Sequence, residues 1–331
     1  MQTKPSSAIR ATAAAVHGSS ISNQYPGPLT AALTSRSPEG RALVLGGGGS
    51  TGNAWLIGVV AGLFDAGLDV AKADLIIGTS AGATAAAQIV AASPRDLFAA
   101  TLAPIPGAQR RPRGNGPGSG QTGAVVDHLT RMNRIVAGSS DATDMRRRVA
   151  KAALELDADS DDSWSGQWRS TVAARLPQQD WPEQEVLITA VDARSGEAVV
   201  FDRRSGVALV DAVAASCSSG RPYRIGDDRF IDGGFRSNAE NADLAAGYGR
   251  VLVLSPFSGR SLQPVEWGMH LGTQADALRA GGSTVETIFP NAENDHMFGA
   301  DAMNIALRPA AAQAGYEQAG LLAGRLIDLW G

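Results

Sequence analysis

Ser80 lies in the pentapeptide GTSAG, residues 78–82, between an apolar run and an alanine-rich run. A strand that ends in Gly-x-Ser-x-Gly and continues as a helix forms a tight elbow, which presents the serine hydroxyl at its tip. Gly78 and Gly82 permit such a turn because they carry no Cβ atom. The pattern predicts a nucleophilic serine. To attack a carbonyl group, that serine needs a base and donors for an oxyanion.

Two further stretches contain groups of the required kind. The run LGGGGSTG, residues 45–52, has glycine amides that can converge at the start of the following helix. The run RFIDGGF places Asp232 at the end of a short strand, where Gly233 and Gly234 leave room around the carboxylate. The chain has four histidines, none of them in a recognisable motif: His17, His128, His270 and His296.

In this order, GGGGSTG, GTSAG and DGG resemble the motifs of the patatin-like phospholipases. The resemblance runs from about Ala42 to Leu254 and leaves the segment 102–185 unmatched. It implies that Ser80 attacks an acyl ester and that Asp232 acts as the base. The amides of Gly47, Gly48 and Gly49 would hold the oxyanion, and water would then release the fatty acid. The resemblance implies no metal and no cofactor.

One position departs from the pattern of that family. Many members have Arg or Lys two residues after the last glycine of the loop, where this chain has Thr51. The departure removes a positive charge near the oxyanion loop. Neutral acylglycerols and phospholipids are therefore equally open as substrates.

Three other functions stay open on the sequence. The run GGGSTG, residues 47–52, satisfies the dinucleotide fingerprint, with Asp69 or Asp74 near the spacing of a ribose-binding acid, and this indicates an NAD(P)-binding oxidoreductase. An α/β-hydrolase triad would recruit His270 or His296, which follow Asp232 in the chain. A lipid-binding protein without catalytic activity is the third.

The elements that must position these residues alternate between strands and helices. Strands are predicted at 42–45 and in ADLIIG, EVLITAVDA, AVVFDR, RFIDGG, RVLVLSP and VETIFP, with a long helix at the carboxyl terminus. The handedness of crossover connections then favours an α/β fold, a three-layer sandwich with a mainly parallel central sheet. We predict a disordered extension at 1–39 and a single domain at 40–331, with a helical insertion at about 103–182.

The charge and the cysteine content of the chain limit which partners we expect. The 331 residues carry a formal charge of −4, which offers no general attraction to nucleic acid or to anionic lipid. Membrane contact would therefore be transient, local and apolar. A single cysteine, Cys217, excludes an intrachain disulfide, so we expect a cytoplasmic protein with a buried structural thiol.

Two groups of residues receive structural predictions. Asn238 and Asn241 are expected to cap a helix that begins near Ala242, with a role in orienting the Asp232 loop as the alternative. The tryptophans are expected to serve in packing or as surface anchors. Those between Trp164 and Trp181 fall where a lipid-facing cap would lie.

Overall fold

The structure is a computed structural model, and it describes residues 38–103, 121–158 and 163–330. Nearly all of the predicted disordered extension at 1–39 lies outside the described residues. The segments 104–120 and 159–162 of the predicted helical insertion lie outside them as well.

The described residues form eight strands. In chain order they are β1 Arg41–Leu45, β2 Leu75–Gly78, β3 Glu185–Asp192, β4 Ala198–Phe201, β5 Tyr223–Ile225, β6 Asp228–Asp232, β7 Arg250–Leu254 and β8 Thr284–Ile288. Seven of them were predicted. The three-residue strand β5 was not, because it is too short to show a period.

The α-helices of the described residues alternate with these strands. They are α1 Gly49–Asp65, α2 Ala81–Ile89, α3 Pro94–Leu102, α4 Gln121–Ala137, α5 Ala142–Asp157, α6 Ser163–Ala173, α7 Leu209–Ser216, α8 Leu271–Ala280 and α9 Arg308–Trp330. The sequence analysis did not identify α3, α7 and α8, which are short. No helix within the described ranges is long and apolar enough to cross a membrane.

One sheet contains all eight strands, in the order β5-β6-β3-β2-β1-β7-β8, with β4 paired to β3. The five strands β3, β2, β1, β7 and β8 are parallel, whereas β4, β5 and β6 join by antiparallel pairing. The helices flank this sheet, so the predicted α/β class with a mainly parallel central sheet is confirmed.

The apolar side chains of the strands alternate between two cores. Leu43 and Leu45 of β1 face the helices α1, α2, α7 and α9, while Ala42 and Val44 face α8. A third cluster packs α4 and α5 against the far end of β3, through residues such as Val191. Because both faces of the central strands are buried, their sequences are continuous apolar runs, as is typical of parallel sheets.

Strand register brings the two predicted catalytic segments to one edge of the sheet. Gly78, the last residue of β2, pairs with Ile188 of β3. Two residues further along β3, Ala190 pairs with Asp232 at the end of β6. Ser80 follows Gly78 by two residues, so it emerges at the level of Asp232.

Candidate active site

Ser80 occupies a strained elbow between β2 and α2. Its backbone has φ 52° and ψ −113°, a conformation with positive φ that non-glycine residues rarely adopt. Such strain persists only where surrounding contacts enforce it, and it costs about 1–3 kcal/mol. The amide of Ser80 donates to Oγ of Ser216 at 2.9 Å, and its carbonyl accepts from the amide of Thr84 at 3.2 Å. The elbow is thereby held from α7 and from α2.

The carboxylate of Asp232 lies directly beside this serine. Ser80 Oγ donates to Asp232 Oδ2 at 2.8 Å, across 152 positions of sequence. The other carboxylate oxygen, Oδ1, accepts from the amide of Gly234 at 2.8 Å. Asp232 is only 7% exposed, and its burial raises the pKa to about 6, although both hydrogen bonds act in the opposite direction. The carboxyl group is thus a stronger base than an exposed aspartate.

Close backbone approach explains the glycines of the two motifs. A Cβ atom on Gly82 would lie 1.9 Å from the carbonyl oxygen of Leu45, and one on Gly233 would lie 2.1 Å from Oγ1 of Thr189. Gly78 is similarly crowded by α2, whereas Gly234 contributes its amide to Asp232. Any larger residue at position 82 or 233 would therefore push the elbow or the Asp232 turn away from the sheet.

The glycine loop passes close to the serine. A Cβ atom on Gly47 would lie 3.5 Å from Cβ of Ser80. The amide of Gly47, one of the three expected oxyanion donors, already donates to the carbonyl of Ala239 at 2.8 Å. The amides of Gly48 and Gly49 donate to no other group in the described part of the chain, because Gly48 is the N-cap and Gly49 the first residue of α1, where helix amides have no partner within the helix.

The side chain of Asn241 hydrogen-bonds to both the Ser80 motif and the Asp232 motif. Its Nδ2 donates to Oγ1 of Thr79 at 3.0 Å and to the carbonyl of Gly233 at 3.0 Å. Thr79 precedes Ser80 and Gly233 follows Asp232, so one fully buried amide contacts both of the segments that were predicted to be catalytic. Its Oδ1 accepts from Nη1 of Arg236 at 3.0 Å.

The capping prediction for this asparagine was wrong. Asn241 precedes a 3-10 helix at Ala242–Ala245, and its backbone is left-handed, with φ 57° and ψ 41°. Its side chain makes no capping hydrogen bond, because that side chain is turned towards Thr79 and Gly233. Asn238 instead accepts from the amides of Glu240 and Asn241 and so shapes the turn.

Two residues at the end of α7 were not identified from the sequence as part of the site. Besides Ser216, Cys217 contacts the elbow, since its Sγ donates to the carbonyl of Ser80 at 3.1 Å. Desolvation raises the pKa of Cys217 to about 12, so the thiol stays protonated and acts as a donor. The small residues AASCS gave no pattern that would have marked this contact.

The alternative motifs do not reach this site. His270 hydrogen-bonds to the carbonyl of Gln263 at 2.7 Å, and His296 to that of Glu293 at 3.0 Å. Neither ring forms a hydrogen bond with Ser80 or Asp232 in the described part of the chain. Within the described ranges, therefore, neither His270 nor His296 completes a catalytic triad with Ser80 and Asp232.

The two aspartates of the dinucleotide alternative are engaged elsewhere. Asp74 precedes β2 and accepts from the amide of Arg41 at 2.7 Å, so it lies at the sheet edge opposite the glycine loop. Asp69 pairs with Lys72 at 3.2 Å. A ribose-binding acid would follow β2 rather than precede it.

The tryptophans between 164 and 181 make packing contacts, as one of the two predictions for them expected. Trp164 and Trp168 stack on each other with ring centres 6.3 Å apart, and both pack partly buried against the core. The indole N–H groups of Trp168 and Trp181 donate to the carbonyls of Ala214 and Val207.

Other concave or acidic features lie away from Ser80. A cavity of about 490 Å³ opens beside α8 and is lined by Arg146, Arg236 and Gln274 among others, with neither Ser80 nor Asp232 in its wall. Across the described ranges, no three His, Cys, Asp or Glu side chains converge as a metal site requires.

One family profile matches the part of the chain that contains this site. Residues 43–244 match the profile of a family described as patatin-like phospholipase, a range that includes the glycine loop, Ser80 and Asp232. No curated protein sequence matches this chain.

Two solved structures show a weak similarity to this chain. VipD from Legionella pneumophila is 15% identical, with a TM-score of 0.38, and the match covers 88% of this chain and 68% of that one. The type III effector protein ExoU is 15% identical, with a TM-score of 0.32, and the match covers 86% of this chain and 54% of that one. The chain therefore spans little more than half the length of the second.

Proposed function

The chain belongs to the patatin-like phospholipase family, and on that premise we propose that it is a serine acyl hydrolase that cleaves carboxylic esters of lipids. Ser80 is the proposed nucleophile and Asp232 the proposed general base. The observation that carries the proposal is the direct hydrogen bond of 2.8 Å from Ser80 Oγ to Asp232 Oδ2. A base at this distance can take the hydroxyl proton without a histidine between the two.

The proposed reaction has two proton transfers in each half. As Ser80 Oγ attacks the ester carbon, its proton moves to Asp232 Oδ2. The carbon–oxygen bond of the leaving alcohol then breaks, and the alcohol takes that proton from Asp232. In the second half, water attacks the acyl-enzyme and gives its proton to Asp232, which returns it to Ser80 Oγ as the fatty acid leaves.

Backbone amides of the glycine loop are the proposed hydrogen-bond donors to the oxyanion. Gly48 and Gly49 are favoured because their amides are free of other acceptors in the described chain and begin a helix of 17 residues. The positive end of a helix dipole at the same place favours a developing negative charge. Gly47 would have to release the carbonyl of Ala239 before it could join them.

Labelling and site-directed variants test the proposal. A fluorophosphonate should attach to Ser80, as peptide mapping would identify. Ser80→Ala and Asp232→Asn should each abolish hydrolysis of a medium-chain p-nitrophenyl ester, while the exposed Ser170→Ala and Asp276→Asn keep wild-type rates. Full activity in either site variant, or labelling at another serine, would overturn the dyad. Lipid binding without any labelling would favour a binding protein without catalytic activity.

A further inference from the structure

An arginine that the sequence motifs did not indicate contacts the first turn of α1, next to the glycine loop. Arg308, the first residue of α9, donates through Nη1 to the carbonyl of Ser50 at 2.7 Å and through Nη2 to Oδ1 of Asn53 at 3.1 Å. It lies outside the region matched by the family profile. The Nδ2 of Asn53 in turn reaches the carbonyl of Ala81, the residue after the nucleophile, at 3.5 Å.

A second arginine approaches the same place from the loop after α6. The carbonyl of Arg175 accepts from Gln88, whose other amide atom accepts from Asn53. The exposed guanidinium of Arg175 lies over the ring of Trp168, 5.3 Å from its centre. Burial first and then the charge of Arg175 lower the pKa of Arg308.

Neither guanidinium has a carboxylate partner within the described parts of the chain. The hydrogen bonds of Arg308 go to neutral groups, and the guanidinium of Arg175 lies over the Trp168 ring. Arg308 is partly buried, and burial is the main cause that lowers its pKa. It also stands at the positive end of α1, where a cation is unfavourable and an anion is favoured. This positive charge therefore lacks a paired anion among the described residues.

We propose that Arg175 and Arg308 form a subsite beside Ser80 that binds the negatively charged head group of a lipid substrate and disfavours a zwitterionic one. The proposal deepens the proposed hydrolase function and rests on it for the identity of the ligand. One phosphodiester neutralises only one of the two arginines. An ammonium group next to that phosphate would meet the second arginine and be repelled.

This selectivity also bears on the charge that Thr51 lacks. Thr51 is fully buried, and its amide and hydroxyl both contact the carbonyl of Ala302, at 3.0 and 3.4 Å. Position 51 contributes no cation, and the positive charge at this turn comes instead from Arg308, which is distant in the sequence.

The test compares dihexanoylphosphatidylglycerol with dihexanoylphosphatidylcholine, both below their micellar concentrations so that no membrane surface charge contributes. Wild type should cleave the anionic lipid with a kcat/KM about tenfold above that of the zwitterionic lipid. Arg308→Gln and Arg175→Gln should each lower the value for the anionic lipid several-fold and leave the other nearly unchanged. Arg325→Gln removes an exposed charge from the same helix α9 and should keep the wild-type ratio. Arg175 is exposed, so its variant does not endanger folding.

Three results would overturn the subsite: equal rates of wild type on both lipids, an unchanged ratio in both arginine variants, or an equal loss on both lipids. The last result would mean that the charge acts on the ester rather than on the head group. Calorimetric binding of the anionic lipid to Ser80→Ala, with and without Arg308→Gln, tests the subsite independently of turnover. If wild type hydrolyses neither lipid nor the p-nitrophenyl ester, the proposed function fails, and the binding difference alone supports or overturns the subsite.

Discussion

Replacement of Asn241 by aspartate should slow acylation of Ser80 more than it destabilises the fold. The aspartate keeps the shape, the acceptor for Arg236 and the tolerance for φ 57°, and it replaces the Nδ2 donor by an oxygen of an ionisable carboxyl group. The carbonyl of Gly233, 3.0 Å away, then faces an oxygen instead of an N–H group. That carbonyl keeps the amide of Arg236 as a donor at 3.1 Å, so the loss is that of single hydrogen bonds, each worth about 0.5–1.5 kcal/mol. The free energy of unfolding should fall by at least about that amount.

The expected effect on acylation follows from where the lost bonds lie. Thr79 and Gly233 directly adjoin Ser80 and Asp232, so their relaxation lengthens the Oγ to Oδ2 contact that the base requires. Misalignment of this kind costs about tenfold to a hundredfold in rate. The assay is the second-order rate constant of fluorophosphonate labelling, which depends on no particular lipid.

Two controls separate alignment from stability and from charge. Asn304→Asp makes the same substitution where only the side-chain oxygen is used, as acceptor from Ala306, and it should label at the wild-type rate. Leu326→Ala, in the buried face of α9, should cost about 2–5 kcal/mol and also keep that rate. Labelling over a pH series separates two causes of a slow rate. If the substitution raises the pKa of Asp232, the labelling rate recovers at high pH. If it misaligns Ser80 and Asp232, the rate stays low. Equal labelling of Asn241→Asp and Asn304→Asp would refute the positioning role.

Three further predictions concern single groups. Because the base must be ionised and its pKa is about 6, kcat/KM should rise through about pH 6 and then level off; a profile that stays flat down to about pH 4 would exclude Asp232 as the base. Glu240 is buried and its pKa is raised from 4.5 to about 7, so its ionisation opposes folding increasingly across that range. Glu240→Gln should therefore raise the free energy of unfolding by about 3 kcal/mol above pH 7 and leave it unchanged below about pH 4, as urea denaturation at both ends would show. Gly82→Ala should destabilise by about 1–3 kcal/mol and abolish labelling, whereas Gly166→Ala, with no atom near its Cβ, should be stabilising; a fully active Gly82→Ala would contradict the packing argument.

The sequence by itself determined what depends on local chemistry. The glycine loop, the serine elbow and the strand-end aspartate follow from residue types at fixed spacing, and alternation of strands and helices predicted the mainly parallel sheet. These features are readable because backbone conformation at a glycine or at an amphipathic segment is decided within a few residues. The short elements β5, α3, α7 and α8 were not predicted, because their few residues carry too weak a pattern.

Tertiary structure alone decided which distant groups meet. Register between β2, β3 and β6 brings Ser80 within 2.8 Å of Asp232, and no local pattern contains that register. Asn241 was expected to cap a helix, yet a left-handed backbone turns its amide towards Thr79 and Gly233. Arg308 reaches α1 only because α9 packs along it. Contacts between residues far apart in sequence depend on how the elements pack, and that packing is a property of the whole fold.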